Sequence, residues 1–146
     1  MKISTKGRYG LRAMLDLALH SENTHVSLSS IAERQNVSLN YLEQAFSTLK
    51  KNGLVKSVKG AQGGYILAEP PEKTTIYRIL NVLEGDLSIV DESEMDASSV
   101  LQNCIRKNVW DKIDDQVKEI FGSTTLRDLM DEYKKVMETH EPMYFI

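Results

Sequence analysis

The stretch "VSLSSIAERQNVSLNYLEQAFSTLKKNGLVKSVKGAQGGYIL", residues 26–67, contains two short helical patterns followed by a glycine-rich turn. Ser27 and Ser38 each stand just before an apolar periodic run, which is the position of a helix N-cap. Each run places its apolar residues on one face: Leu28, Ile31 and Ala32, then Leu42, Ala45, Phe46 and Leu49. Because the connection "QNVS" is short, the stretch predicts a helix-turn-helix that ends at Asn52-Gly53.

The segment "SVKGAQGGY", residues 57–65, lies between the strand-like runs "LVKSV" and "YILA". Its lysine precedes the glycines, which excludes a Walker-type phosphate loop, and "YILAEPP" after them excludes the helix that a dinucleotide fingerprint opens. We therefore predict a β-hairpin with a basic tip at Lys59 and a turn made by Gly60, Gly63 and Gly64.

Helical patterns flank this stretch on both sides. Leu11, Met14, Leu15 and Ala18 predict a first helix over 6–20, and a short helix over 75–84 follows the break "EPPEKT". A loop rich in Asp, Glu and Ser precedes a long helix over about 99–121, and a last helix begins near 125. The long helix carries an apolar stripe: Leu101, Ile105, Val109, Ile113, Val117 and Ile120.

These elements predict a mainly α fold with a small β-hairpin. A winged helix-turn-helix domain covers 1–70, and a dimerisation and regulatory region covers 71–146. The chain has 146 residues, 41% of them apolar, and one cysteine, so an internal disulfide is excluded. No apolar run has the length of a membrane span and no signal-peptide pattern opens the chain, so we expect a cytoplasmic protein that does not contact a membrane.

Charge is divided unevenly along the chain. Residues 1–67 hold nine Lys or Arg and four acids, whereas residues 68–146 hold nine Lys or Arg and seventeen acids. The net charges of +5 and −8 predict that the first part attracts a polyanion and the second repels it.

A helix-turn-helix followed by a basic wing is typical of double-stranded DNA binding, with the start of the second helix in the major groove. Residues there with base-reading side chains are Ser38, Asn40, Tyr41, Glu43 and Gln44. Residues expected at the DNA backbone or in the wing are Lys6, Arg8, Arg12, Lys50, Lys51, Lys56, Lys59, Gly60, Gly63 and Gly64. The alternative for any single lysine is an ordinary solvated charge.

The residues also carry a resemblance. The segments "MKISTKGRYGLRAMLDLAL", 26–67 and "STTLRDLMDEY" resemble the bacterial winged-helix regulators that include the iron-sulfur regulator IscR and the cysteine-metabolism repressor CymR. The resemblance implies a homodimer on a dyad-symmetric operator, with the long helix crossing its symmetry mate. The alternative for the stripe is a core helix within one chain.

Cluster-binding members of that family hold a [2Fe-2S] centre with three cysteines and a histidine. Aligned on "CIRKNVW", only Cys104 keeps a ligand, while Glu92, Ser98 and Lys107 stand at the other positions. Such a cluster needs four ligands, so we expect no iron-sulfur cluster, no metal and no other cofactor. Carboxylate ligands from Glu92, Glu94 and Asp96 are the alternative.

The opening "MKISTKGRYG", the "LEG" at 83–85 and the terminal "MYFI" are similar to the cysteine-metabolism branch. That similarity implies a repressor of cysteine and sulfur genes, with cysteine synthase as a possible partner. The alternative is an iron-sulfur or thiol-based redox-sensing regulator of the same family. Cys104 is either a buried, inert residue or, in that alternative, a reactive thiol beside Arg106 and Lys107. We find no catalytic constellation and predict no enzyme activity.

Overall fold

The computed structural model describes residues 1–144, with side chains through His140; Phe145 and Ile146, part of the terminal "MYFI", lie outside the described residues. The elements in chain order are α1 (Thr5–His20), α2 (Leu28–Gln35), α3 (Leu39–Lys51), β1 (Val55–Val58), β2 (Gly64–Leu67), α4 (Ile76–Glu84), α5 (Val100–Ile105), a π-helical stretch (Arg106–Trp110), α6 (Asp111–Ser123) and α7 (Leu126–Tyr144). Single 3-10 turns lie at Pro71–Lys73 and Glu92–Glu94. The mainly α fold with one hairpin is confirmed.

Side-chain caps determine where the first helices begin. Ser27 accepts a hydrogen bond from the backbone N–H of Ser30, and Ser38 accepts one from that of Tyr41, so both predicted N-caps are confirmed. Asn36, in the left-handed conformation with φ 54°, ends α2 and makes the tight turn before α3. The local chemistry of residues 27–38 thus sets the helix-turn-helix.

The hairpin is a third layer beside these helices. β1 and β2 pair antiparallel with Val55 opposite Leu67 and Val58 opposite Gly64. Val26 pairs with Tyr65 on the other side of β2 through two backbone hydrogen bonds of 2.9 and 2.8 Å. The wing is therefore attached to the segment that leads into α2.

One hydrophobic core joins both parts of the chain. The core includes Met14 and Leu17 of α1 and Phe46 of α3, together with Ile79 of α4 and Met130 of α7. The predicted boundary near residue 70 falls in the connection before the first 3-10 turn, but apolar packing continues across it. The two parts therefore differ in net charge and in the exposure of their side chains, but they share one core.

The long helical run begins at Val100 and ends at Ser123, close to the predicted 99–121. The sequence pattern did not predict its π-helical stretch, where the N–H of Asp111 bonds to the carbonyl of Arg106. In that stretch the Asn108 side-chain amide donates to the carbonyl of Cys104 at 2.7 Å. Within the part of the chain that the structure describes, no helix is both long and apolar enough to cross a bilayer.

Candidate nucleic-acid interface

The N-terminal half of α3 presents polar side chains to solvent. Ser38, Asn40, Glu43 and Gln44 are exposed, whereas Leu42 is buried in the core. This alternation follows the helical period, because the face that packs on α1 and α2 takes the apolar residues. The structure thus brings four of the five predicted base-reading residues to one open surface.

Tyr41, the fifth predicted base-reading residue, is turned inward. Its hydroxyl is buried and has no hydrogen-bond partner among the described residues, and its ring meets that of Tyr9 edge to face at 5.9 Å. Burial raises the pKa of Tyr41, with a further contribution from the negative charge of Glu84. In this structure Tyr41 joins α3 to α1.

Two cations of α1 lie over the Tyr9 ring of this tyrosine pair. The guanidinium of Arg12 lies 5.1 Å from the centre of the Tyr9 ring, and that of Arg8 lies 5.9 Å from it. Arg12 also donates to the backbone carbonyl of Gln35, so its position is fixed relative to α2. The predicted backbone-contacting lysines are all exposed: Lys6, Lys50, Lys51, Lys56 and Lys59.

The wing glycines have different roles. Gly60 has φ 125° and open space around it, as a turn at an exposed tip requires. A Cβ on Gly63 would lie 2.2 Å from the carbonyl oxygen of Val58, and one on Gly64 would lie 2.4 Å from that of Val26. Close approach within the chain therefore requires glycine at both of these positions.

An ion pair with a buried carboxylate orients α2 on α1, and the sequence analysis missed it. Asp16, whose side chain is 1% exposed, accepts from Arg34 Nη2 at 2.7 Å and from Gln35 Nε2 at 2.8 Å. The hydrogen bond to Asp16 raises the pKa of Arg34. Its signal in the sequence was an acid among the apolar positions of α1.

The residues at the expected cluster positions lie in exposed parts of the chain. Glu92 lies in an exposed 3-10 turn, the Ser98 hydroxyl bonds to Asp96 at 2.7 Å, and Lys107 is exposed. Within the described residues, no group of three or more His, Cys, Asp or Glu side chains is placed to hold a metal ion. Cys104 is exposed in the single chain, and its burial in a dimer stays a prediction.

The predicted apolar stripe lies largely on the surface. Leu101 is 71% exposed and Ile113 is 37% exposed, and the other stripe residues are exposed or half-buried. Three apolar side chains of α7 are also exposed: Tyr133, Val136 and Met137. The single chain thus leaves an apolar surface of a kind that usually marks an interaction site.

Comparisons with known proteins identify related regulators. The family model Rrf2, described as an iron-dependent transcriptional regulator, matches residues 3–132. The HTH-type transcriptional regulator CymR of Bacillus subtilis is 46% identical over 129 residues, which are 88% of this chain and 89% of that protein.

Two solved structures share the fold. That of CymR, the global cysteine regulator of B. subtilis, has a TM-score of 0.78 at 44% identity and covers 90% of this chain and 98% of its own. That of T. potens IscR has a TM-score of 0.74 at 43% identity and covers 93% of this chain and 90% of its own. The winged-helix fold is confirmed, and the chain belongs to the Rrf2 family of DNA-binding transcriptional regulators rather than to a class of enzymes.

Proposed function

We propose that this chain is a homodimeric, sequence-specific repressor that places α3 of each copy in the major groove of a dyad-symmetric operator. The observation that carries the proposal is the polar N-terminal face of α3 beside a wing with a lysine at its tip. Asn40 and Gln44 suit adenine edges, and Glu43 suits the amino group of cytosine. Ser38 keeps its hydroxyl hydrogen for a base while its oxygen caps the helix.

The backbone contacts in this proposal come from exposed cations. Lys59 at the wing tip reaches the backbone beside a minor groove, and the lysines at the end of α3 and in β1 follow the phosphates. Arg12, which is held by Tyr9 and Gln35, presents a fixed charge rather than a mobile one. Tyr41 supports the reading helix from behind rather than touching a base.

The apolar stripe supports the homodimer. A twofold axis lets two copies of the same face cover one another, and the exposed residues from Leu101 to Ile120 provide such a face. Burial of one such side chain stabilises by about 1.5–3 kcal/mol, and symmetry counts each one twice.

The donor set supports a regulator that acts without an iron-sulfur cluster. A cluster of the family type requires three thiolates and an imidazole, whereas this chain offers one thiol, a carboxylate, a hydroxyl and an ammonium. A lysine ammonium is not a ligand, and a serine hydroxyl is a poor substitute for a thiolate at iron.

We infer from the similarity to CymR, whose solved structure is described as that of a global cysteine regulator, that the target genes serve cysteine and sulfur metabolism. Cysteine synthase as a partner protein rests on the resemblance alone. A partner bound to the acidic region, residues 68–146, would lie away from the DNA, because the negative charge of that region repels the polyanion.

The test combines an anaerobic purification with DNA binding. An ultraviolet-visible spectrum and an iron assay should show a colourless, iron-free protein, and a cysteine-gene promoter fragment should be bound more tightly when cysteine synthase is added. Binding should weaken with salt at a log-log slope of about −0.9 for each neutralised phosphate. A brown, iron-loaded protein would contradict the absence of a cluster, and binding that ignores salt would contradict the DNA interface.

Two substitutions separate base reading from backbone contact. Glu43→Ala should relax base preference with little loss of affinity, while Lys59→Ala should weaken all sites alike and reduce the salt slope by about 1. Titration of matched and base-substituted operators by fluorescence anisotropy measures both effects. Equal losses on both operators from both variants would contradict the assignment.

A thiol-based redox regulator is the second candidate, because the Cys104 thiol is exposed in the single chain. Oxidation of Cys104 would then weaken operator binding. A Cys104→Ser variant that still responds to peroxide as the parent does would contradict this candidate.

A further inference from the structure

Glu84, the last residue of α4, is bonded to the start of α1. One carboxylate oxygen, Oε1, accepts from the backbone N–H of Ser4 at 2.9 Å and from its hydroxyl at 2.7 Å. Ser4 is the N-cap of α1, and its Oγ in turn accepts from the N–H of Gly7 at 3.2 Å. The first turn of α1 is thus held by a carboxylate eighty residues away in sequence.

Two glycines of α1 make this contact possible. A Cβ on Gly7 would lie 2.1 Å from Glu84 Oε1, and a Cβ on Gly10 would lie 2.3 Å from Leu83 Cδ1. The glycines are three residues apart, so they lie on the same face of α1. The end of α4 therefore rests directly on the α1 backbone.

The charge of Glu84 also suits this position. The first turn of α1 contains no acidic residue, and a negative charge near a helix N-terminus stabilises the helix. The same negative charge adds to the effect of burial in raising the pKa of Tyr41 in α3.

After Glu84 the chain enters the loop that precedes the long helical run. Gly85 follows with φ 83°, and Asp86 then turns the chain by accepting from the N–H of Ser88 at 2.9 Å. The segment before α1 reaches this loop too, since the Met1 nitrogen lies 3.2 Å from the carbonyl oxygen of Ile89.

We propose that Glu84 is a positioning residue for DNA binding, which fixes the N-terminal turn of α1 so that Lys6 and Arg8 meet the phosphate backbone. This inference rests on the proposed function.

The salt dependence of operator binding tests the proposal, because a loss of stability alone does not change the number of phosphates contacted. Glu84→Ala should weaken binding by about 10-fold and reduce the log-log salt slope by about 1 to 2. Glu84→Gln keeps an oxygen that can accept from Ser4 and should restore the parent slope. Ser4→Ala should reduce the slope less in the Glu84→Ala background than in the parent, because the hydroxyl bond to Glu84 is already absent there, whereas loss of the Gly7 cap is common to both backgrounds.

Glu22→Ala is the matched control, since Glu22 is an exposed acid just beyond the other end of α1, bonded to Lys134 at 3.0 Å. It should keep the parent affinity and slope. A Glu84→Ala protein that is folded by circular dichroism and keeps the parent slope would overturn the inference. If that variant does not fold, an unchanged slope in Ser4→Ala would overturn it. A parent that does not bind DNA would overturn the proposed function, and this inference with it.

Discussion

The first three helices and the long helical run differ in how many of their apolar side chains are buried. α1, α2 and α3 each have a serine cap and send apolar residues such as Leu17, Ile31 and Phe46 into the shared core. The run from Val100 to Ser123 is fully described by the structure and has no buried residue. The first three helices therefore bury their apolar faces within one chain, whereas the long helical run leaves its apolar stripe exposed there.

The largest expected effect comes from a charge in the stripe. Ile113→Asp should separate the proposed homodimer and weaken operator binding by 100-fold or more, since its interface would lose about 1.5–3 kcal/mol at each of two symmetric positions. Sedimentation equilibrium measures the mass, and anisotropy measures the DNA affinity. The helical circular dichroism of the rest of the chain should remain.

The control places the same side chain one residue earlier. Lys112→Asp lies about 100° around the helix from Ile113 and should leave a dimer. Dimers of equal strength from both variants would show that the stripe is not the dimer surface.

A smaller effect is expected in the first part of the chain, where the carboxylate of the Asp16–Arg34 ion pair is buried. Arg34→Met should lower the free energy of unfolding by about 2 kcal/mol, because the Asp16 carboxylate stays buried with fewer donors. Arg78→Met is the matched control, because its pair with Glu69 is half-exposed and such pairs contribute about 0–1 kcal/mol. Urea denaturation of both variants measures the difference, and equal losses would contradict it.

Substitution of glycine by alanine should change the free energy of unfolding in opposite directions in the two regions. Gly10→Ala should destabilise by about 1 kcal/mol, because its Cβ displaces Leu83 and overpacking outweighs helix propensity. Gly122→Ala in α6 has nothing within 4 Å of its Cβ and should stabilise by about 0.5–1 kcal/mol. Thermal unfolding of the two variants tests this, and a shift in the same direction would be inconsistent with the packing described.

The smallest effect is expected at low pH, in the loop before the long helix. Hydrogen bonds from Ser88, Ser93 and Ser98 lower the pKa of Asp86, Asp91 and Asp96 below the ordinary value of 3.8. A lowered pKa stabilises the folded form above that value, and the contribution is lost as pH falls through the folded pKa. Carboxyl NMR titration should therefore show unchanged turns between about pH 5 and 8 and loss below about pH 4. Titration of all three above 3.8 would contradict the turns.

Local chemistry decides which of these features the sequence could predict. Ser27, Ser38 and the wing glycines act on neighbouring residues, so the helix-turn-helix and hairpin were predicted correctly. The Asp16–Arg34 pair and the Glu84–Ser4 bond join distant segments, and no periodic pattern identifies such partners. The inward turn of Tyr41 also depends on Tyr9 of another helix. Sequence reasoning therefore placed the elements well, and it missed how the site is held together.

The π-helical stretch Arg106–Trp110 has a consequence for the angular phase of the stripe. Each step of four residues in an α-helix passes a full turn by about 40°, so the steps from Leu101 to Ile113 would drift by about 120°. The bond from Asp111 to Arg106 spans five residues, and this wider turn compensates part of that angular drift. The number of residues in the stretch thus matters separately from their identity. Deleting Lys107 would keep every apolar side chain of the stripe and still rotate its second half by about 100° away from its first.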